Sequence, residues 1–261
     1  MHPEPAARRG LRIHLAARPP VDLELVIPAY NEEKRIGRTI RRASAYLGHQ
    51  AYRSAIVLVD NGSVDRTVDV AAALATTSQV PVHVINCGRR GKGAAVRAGV
   101  LSSSARIVGY SDADLATPIE TLDRMYPLLE RGHPIVIASR KEPGARYVVP
   151  LPLARRLGSA AFELAAGLVV DGIPDTQCGF KFFQGAVAKE LFDGLTIEDF
   201  AFDVEVLALA QRKQCPVTSV PVAWTDHEGS TFRRVPDGLA AMAAIARTWW
   251  HNRWPSRRDV S

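Results

Sequence analysis

Five short apolar segments alternate with helix-like segments over the first half of the chain, and this alternation constrains the fold most strongly. The apolar segments cover residues 23–28, 55–60, 82–86, 106–111 and 134–139. Val, Ile and Leu occupy consecutive positions in them, as is typical of strands buried on both faces of a parallel sheet. The segments between them predict helices over 32–47, from the turn at 61–63 through 75, and over 92–103 and 118–131. The pattern predicts an α/β fold with a mostly parallel central sheet flanked by helices on both faces.

The second half has a weaker pattern. Residues 141–152 contain three Pro, one Gly and no clear period, which predicts a loop over the carboxyl edge of the sheet. Helices are predicted over 153–169, 203–213 and 237–250, and strands over 180–183 and 217–222.

Composition indicates an ordinary globular protein. The 261 residues are 47% hydrophobic and 23% charged, which suits one large domain. No apolar stretch is long enough to cross a bilayer, and residues 1–20 lack the apolar centre of a secretory signal, so we expect a cytoplasmic protein. The three cysteines are widely separated and indicate neither a disulfide framework nor a zinc site.

The net charge of +6 comes from the two ends of the chain. The rest carries equal numbers of acidic and basic residues, which argues against a nucleic-acid partner. We therefore expect a basic, disordered segment at 1–20, one catalytic domain at 21–236, and an amphipathic helix with a basic tail at 237–261. The three Trp and two flanking Arg in 247–254 suit either packing on the domain or peripheral contact with the inner membrane surface.

Polar side chains follow the predicted strands at the edge where ligands bind in such sheets. Asp112 and Asp114 flank Ala113 directly after the fourth strand, a spacing that can bring two carboxylates to one Mg²⁺ or Mn²⁺. Such a cation would neutralise charge on a departing diphosphate. The alternative is that one Asp only caps the helix predicted near Pro118.

Three further loops reach the same edge. Asp60 ends the second strand, where its carboxylate can accept hydrogen bonds from a nucleobase, and Gly62 permits the turn that follows, with Asp65 as helix cap. Pro28, Tyr30 and Glu32 close the first strand, with a ring that can stack on a base. Residues 88–93 lack the spacing of a P-loop, but Lys92 near a helix start can attract phosphates.

Taken together, the motifs at 26–32, 59–65 and 112–114 resemble glycosyltransferase family 2, which uses the single-domain, Rossmann-like GT-A fold. The motifs at 175–181 and 201–205 are similar to those of its dolichyl-phosphate glucosyltransferase branch, close to the mannose synthases. The resemblance covers about residues 23–231.

The resemblance implies an inverting hexosyltransferase with a nucleotide-sugar donor, with UDP-glucose favoured over GDP-mannose, and a polyprenyl or dolichyl phosphate acceptor. It implies Mg²⁺ or Mn²⁺ on Asp112 and Asp114. With the loop residues named above, the expected donor-binding residues are Pro28, Tyr30, Glu32, Asp60, Gly62, Lys92, Asp112 and Ala113. The implied acceptor-binding residues are Arg140, Arg155, Arg156 and Gln177. The residues expected to be catalytic are Asp114 and Arg140, with Asp199 and Asp203 as candidate bases for a hydroxyl acceptor.

The chain also departs from its relatives. Ala116 stands where mannose synthases tend to have a Gln, and Thr231 stands where a Lys is frequent. With no anchor expected, a soluble biosynthetic glycosyltransferase with a small-molecule acceptor stays open. A hydroxyl acceptor would need a base, for which Asp199 and Asp203 are the candidates unless they only begin a helix. A nucleotide-binding module without activity and a nucleotidyltransferase are alternatives from other classes.

Overall fold

A seven-stranded sheet runs through the part of the protein that the computed structural model describes, residues 20–147 and 162–225. In spatial order its strands are β3 (Val82–Asn86), β2 (Ser54–Asp60), β1 (Leu23–Ala29), β4 (Ile107–Ser111), β7 (Phe180–Gln184), β5 (Ile135–Ser139) and β8 (Val217–Pro221). Only β7 runs antiparallel to its neighbours, which are β4 and β5. The predicted mostly parallel sheet is confirmed.

Helices cover both faces of this sheet. One face packs against α3 (Lys92–Ser102), α5 (Gly185–Asp193) and α6 (Phe202–Arg212). The other face packs against α1 (Ile36–Gly48), α2 (Thr67–Ala75) and α4 (Leu122–Glu130), which follows a short 3₁₀ turn at Ile119–Thr121.

Each central strand contributes side chains to both cores. In β1, Val26 belongs to the first core, whereas Leu25 and Ile27 belong to the second, because successive strand side chains point to opposite faces. All three are fully buried, and burial of such a side chain contributes roughly 1.5–3 kcal/mol. Burial on both faces explains the continuous apolar runs in the sequence.

Two helix predictions need correction. The helix expected from residue 32 begins at Ile36, because Asn31 takes a positive φ of 55° and residues 32–35 form a turn. The sequence prediction also missed α5. Its buried residues Ala188, Leu191 and Phe192 have helical spacing, so the signal was present in a short segment.

A small parallel ladder lies beside the main sheet, formed by β6 (Arg146–Tyr147) and β9 (Ala223–Trp224). Residues 162–167 are helical, in agreement with part of the helix predicted over 153–169. The predictions for residues 1–19, Arg155, Arg156, the helix at 237–250 and the basic tail lie outside the described residues. Within residues 20–147 and 162–225, no helix is long and apolar enough to cross a membrane.

Candidate functional site

The loops after β1 and β2 are joined by hydrogen bonds. The backbone N–H of Asn31 donates to Oγ of Ser63 at 3.0 Å, and the backbone N–H of Val64 donates to Oδ1 of Asn31 at 2.9 Å. Tyr30 lies beside this junction with 40% of its surface exposed. The ring is therefore partly open to solvent, and its stacking on a nucleobase stays a prediction. Pro28, by contrast, lies buried within β1, in register with Val59.

Asp60 ends β2 with a buried carboxylate that shapes its own turn. Its two oxygens accept hydrogen bonds from the backbone N–H groups of Gly62 at 3.2 Å and Ser63 at 3.1 Å. Gly62 has a φ of 83°, a conformation that favours glycine. Asp65 accepts from the backbone N–H of Thr67, the first residue of α2, at 3.0 Å. Both carboxylates thus accept from backbone groups of the turn that leads into α2. A contact between Asp60 and a nucleobase stays a prediction.

Asn61 joins the loop after β2 to the loop before α3, a role that the sequence prediction missed. Its Nδ2 donates to the carbonyl of Arg89 at 2.7 Å, and its Oδ1 accepts from the backbone N–H of Gly91 at 2.8 Å. Gly91 has a φ of 120°, and a Cβ there would lie 2.0 Å from the carbonyl oxygen of Glu198. These contacts fix the backbone immediately before Lys92.

Lys92 starts α3 and pairs with the first Asp of the Asp-Ala-Asp triplet. Its Nζ lies 2.7 Å from Oδ1 of Asp112. Burial alone would lower the pKa of Lys92, but the carboxylates of Asp112 and Asp203 raise it above its usual value. Lys92 is therefore a fixed cation at a helix N-terminus, where backbone N–H groups also favour anions.

The triplet itself is held from three sides. The backbone N–H of Asp112 donates to the carbonyl of Gly179 at 3.1 Å, and Oγ1 of Thr39 donates to the carbonyl of Ala113. Oδ1 of Asp114 accepts from the backbone N–H of Ala116 at 3.0 Å. The 3₁₀ turn that begins at residue 119 has no side-chain cap, so neither Asp serves as the helix cap that the alternative interpretation required.

Glu32 lies near Asp114 and pairs with Arg35. Burial raises the pKa of Glu32, although the hydrogen bond and charge of Arg35 counteract that shift. Because the charges of Glu32, Arg35 and Asp114 influence one another, Glu32 belongs to the same polar edge as the triplet.

Asp112 and Asp114 fit a divalent cation by their chemistry. Both provide partly exposed carboxylate oxygens, the ligands that Mg²⁺ and Mn²⁺ prefer. Among the residues that the structure describes, no three His, Cys, Asp or Glu side chains are arranged to hold a metal ion. Two carboxylates suffice for a Mg²⁺-like ion when phosphate oxygens and water supply the other positions.

Arg140 follows β5 and is bound tightly by Asp175. Its backbone N–H and Nε both donate to Oδ2 of Asp175 at 2.8 Å, and its Nη2 donates to Oδ1 at 2.7 Å. The guanidinium carbon lies 5.5 Å from the ring centre of Trp224. Burial alone would raise the pKa of Asp175, but the hydrogen bonds and charge of Arg140 lower it to about 2. Arg140 is therefore a rigid cation rather than a mobile one.

Gln177 lies two residues after Asp175, and its backbone N–H donates to the Asp175 carboxylate at 3.2 Å. Its side-chain Nε2 is buried without a hydrogen-bond partner among the described residues. Asp175 belongs to the motif at 175–181, but the sequence predicted no separate role for it. An acid preceding a Thr-Gln pair gave no signal of its role, because its partner Arg140 is 35 residues away.

The two candidate bases, Asp199 and Asp203, are engaged in structural contacts. Oδ1 of Asp199 accepts from the backbone N–H of Ala201 at 3.0 Å, just before α6. Asp203 is 1% exposed and binds both Nζ of Lys181 and the hydroxyl of Tyr110. A buried carboxylate that is paired in this way cannot reach a substrate hydroxyl, so the base assigned to Asp203 is corrected to a structural role. The helix-start alternative describes Asp199.

Comparisons of the sequence with known proteins point to one family. The sequence model of Glycosyl transferase family 2 matches residues 24–191. Dolichyl-phosphate beta-glucosyltransferase of Drosophila melanogaster is 34% identical over 226 residues, which cover 81% of this chain and 69% of the relative. The protein of that name from Homo sapiens is 35% identical over 226 residues, with 81% of this chain and 70% of the relative covered.

A solved structure agrees in fold. Glucosyl-3-phosphoglycerate synthase from Mycobacterium tuberculosis, in complex with Mn²⁺, UDP and phosphoglyceric acid, matches with a TM-score of 0.67 and 20% identity. The match covers 91% of this chain and 80% of that chain. The predicted GT-A fold and the predicted glycosyltransferase class are confirmed. The chain belongs to glycosyl transferase family 2.

Proposed function

We propose that the chain transfers glucose from UDP-glucose to a polyprenyl phosphate, with inversion at the anomeric carbon. The relatives from fly and human, both named dolichyl-phosphate beta-glucosyltransferase, support this acceptor and sugar. One structural observation carries the proposal. The segment 175–179 binds Arg140 through Asp175 at one end and contacts Asp112 through Gly179 at the other. A fixed cation for an acceptor phosphate is thereby joined to the carboxylates proposed to hold the donor.

The donor side consists of the loops after β1, β2 and β4 and the start of α3. Tyr30 and Asp60 contact the uracil base in this proposal, with Gly62 and Glu32 shaping the same edge. Lys92 offers its charge to the diphosphate, while Asp112 and Asp114 hold Mg²⁺ or Mn²⁺. A divalent cation held by these two carboxylates would supply charge neutralisation for the departing diphosphate.

The acceptor side is built on Arg140, which presents the guanidinium edge left over after its bonds to Asp175. A planar guanidinium suits a phosphate because two N–H groups can bind two oxygens at once. Nε2 of Gln177, which has no hydrogen-bond partner among the described residues, would be a second donor to the acceptor phosphate. Arg155 and Arg156 remain predicted acceptor contacts outside the described residues.

The proposed glucosyl transfer requires no general acid or general base. An ionised phosphate oxygen of the acceptor attacks the anomeric carbon from the face opposite UDP. The bond between that carbon and the diphosphate oxygen breaks, and UDP leaves with the electron pair. No proton has to be removed, which agrees with the engaged carboxylates of Asp199 and Asp203. Rate enhancement then comes from alignment of the phosphate and from electrostatic stabilisation of UDP.

The test is a comparison of acceptors with labelled UDP-glucose and Mn²⁺. We expect labelled glucose on a polyprenyl phosphate and on a short-chain alkyl phosphate, and none on the matching alcohols. Arg140→Lys keeps a charge beside Asp175 but loses the bidentate geometry, so the acceptor KM should rise at least tenfold with little change in UDP-glucose affinity. Transfer to alcohols alone would favour the small-molecule alternative. Pyrophosphate release in a separate incubation with UTP and glucose 1-phosphate, without glucosyl transfer from UDP-glucose, would indicate a nucleotidyltransferase.

A lipid acceptor also implies work at a membrane surface. We propose peripheral contact with the cytoplasmic face, supported by the Trp and Arg residues in the sequence of 247–254. Sedimentation with anionic and neutral vesicles tests this contact. Removal of residues 248–261 should reduce binding to anionic vesicles, whereas equal binding by the shortened and full chains would contradict it.

A further inference from the structure

A buried group of charges lies directly beneath the triplet and the 175–179 segment. Lys181 on β7 is fully buried, as is Tyr110 on β4, and Asp203 on α6 is 1% exposed. Nζ of Lys181 and the hydroxyl of Tyr110 both bind Oδ1 of Asp203. The strands place Lys181 and Tyr110 opposite each other in the sheet register. None of the three is exposed enough to meet a substrate.

Lys181 makes two further contacts, and both go to backbone carbonyls of one segment. Its Nζ donates to the carbonyl of Thr176 at 3.0 Å and to the carbonyl of Cys178 at 2.9 Å. With Asp203 as the third acceptor, all three N–H bonds of the ammonium have partners. The ammonium therefore fixes the backbone of residues 176 and 178 in place.

These two carbonyls lie between the residues that form the site. Asp175, which precedes them, binds Arg140 through three hydrogen bonds. Gly179, which follows them, accepts from the backbone N–H of Asp112 and lies against its carboxylate. A shift of the 176–178 backbone would therefore move the Arg140 side and the Asp112 side of the site together.

Stability alone does not account for such a group. A buried ion pair costs desolvation, and its replacement by apolar residues of similar size is often neutral or stabilising. What distinguishes Lys181 is that its hydrogen bonds join strand β7 to the 175–179 segment. That segment contacts both Asp112 and Arg140.

We propose that Lys181 is a positioning residue that sets the spacing between Asp112 and Arg140 by holding the 175–179 segment. It touches neither donor nor acceptor and acts through Gly179 and Asp175. The acceptor half of this inference rests on the proposed function, while the donor half needs only that UDP-glucose binds at Asp112. Loss of the ammonium should therefore weaken donor binding and acceptor binding together.

The test is the double variant Lys181→Met with Asp203→Asn, which is electrically neutral and retains an acceptor for Tyr110. The matched control is Tyr110→Phe, which removes one hydrogen bond from the same group but leaves the contacts of Lys181 with the loop. For each variant we would measure thermal unfolding, calorimetric affinity for UDP-glucose with Mn²⁺, and kcat and KM for a polyprenyl phosphate.

We expect the double variant to bind UDP-glucose at least tenfold more weakly and to show a comparable rise in acceptor KM. Tyr110→Phe should lower the unfolding temperature and leave both constants within about twofold of the wild type. A cooperatively folded double variant with wild-type affinity and KM would overturn the inference, since the residue would then serve stability only.

If the double variant does not unfold cooperatively, Lys181→Arg takes its place. The guanidinium keeps the pair with Asp203 but cannot hold all three acceptors in the arrangement of an ammonium, so both constants should rise in parallel. Unchanged constants would again contradict the inference. Failure of the wild-type enzyme to bind UDP-glucose would instead contradict the proposed function, so the two failures are distinguishable.

Discussion

Gly179 offers a sharp test of the site, because a single methyl group there would displace the carboxylate of Asp112. A Cβ built on Gly179 would lie 2.1 Å from Oδ2, 2.4 Å from Cγ and 2.6 Å from Oδ1 of Asp112. Ordinary van der Waals contact begins at 3.4 Å. The nearest oxygen would therefore have to move by about 1.3 Å.

The fold should tolerate this movement. The atoms in conflict belong to the end of a side chain rather than to the backbone, and Gly179 does not have a positive φ. A misplacement of about 1 Å at a reacting centre can cost roughly 100-fold in rate. We therefore expect Gly179→Ala to lower kcat/KM for UDP-glucose by about 100-fold, or about 2.7 kcal/mol, with a cooperative unfolding transition close to that of the wild type.

The assay is glucosyl transfer at varied UDP-glucose, together with calorimetric titration of UDP-glucose and Mn²⁺. Gly194→Ala is the matched control, since a Cβ there meets only ordinary contacts at 3.6 Å or more and its φ is −76°. The control should retain wild-type kinetics. Wild-type kinetics in Gly179→Ala would refute the assignment of Asp112 to the donor site.

Three further substitutions test other parts of the site. Asp114→Ala should reduce kcat by more than 100-fold through loss of the proposed metal ligand, and a near-normal rate at saturating Mn²⁺ would contradict that role. Asp60→Asn should raise the Kd of UDP, measured by calorimetry, by about tenfold, and an unchanged Kd would exclude a contact with the base. Asp175→Asn should lower the free energy of unfolding by at least about 2 kcal/mol at pH 7, measured by urea unfolding, because the pKa of the Asp175 carboxyl falls from 3.8 to about 2 on folding. That stabilisation is present above pH 3.8 and lost as pH falls through 2. The difference in unfolding free energy between wild type and variant should therefore shrink to about half near pH 3. A gap that does not change with pH would contradict the pairing with Arg140.

The sequence predicted the fold well where burial is two-sided. The continuous apolar runs of β1, β2, β4 and β5 exist because both faces of these strands are covered, and that property is visible in residue order. Helix α5 was missed although its three fully buried residues have helical spacing, because a nine-residue helix repeats that spacing too few times. Short amphipathic segments carry too few periods to be separated from loops.

The sequence predicts the position of a candidate site residue where neighbouring residues carry the signal. It does not predict contacts that join residues far apart in the chain. Asp112 and Asp114 stand together after a strand, so their shared position follows from sequence. The partners of Arg140 and Asp203 are distant in the chain, at Asp175 and Lys181. A carboxylate that precedes apolar helix residues can be a catalytic base or a helix cap, and the sequence does not distinguish these roles because it does not show burial.

Positive and negative side chains alternate from the proposed donor side of the site to the proposed acceptor side. This order affects how the activity of a variant is interpreted. Asp112 pairs with Lys92, whose pKa is also raised by Asp203. Asp203 pairs with Lys181, whose ammonium binds the segment that carries Asp175. Removal of one member leaves a buried charge uncompensated, which costs more than removal of the pair. A loss of activity after a single substitution therefore does not distinguish a catalytic group from a neighbour that it neutralises. Replacement of both charges by neutral residues does distinguish them, when it is compared with a control that removes one hydrogen bond from the same group.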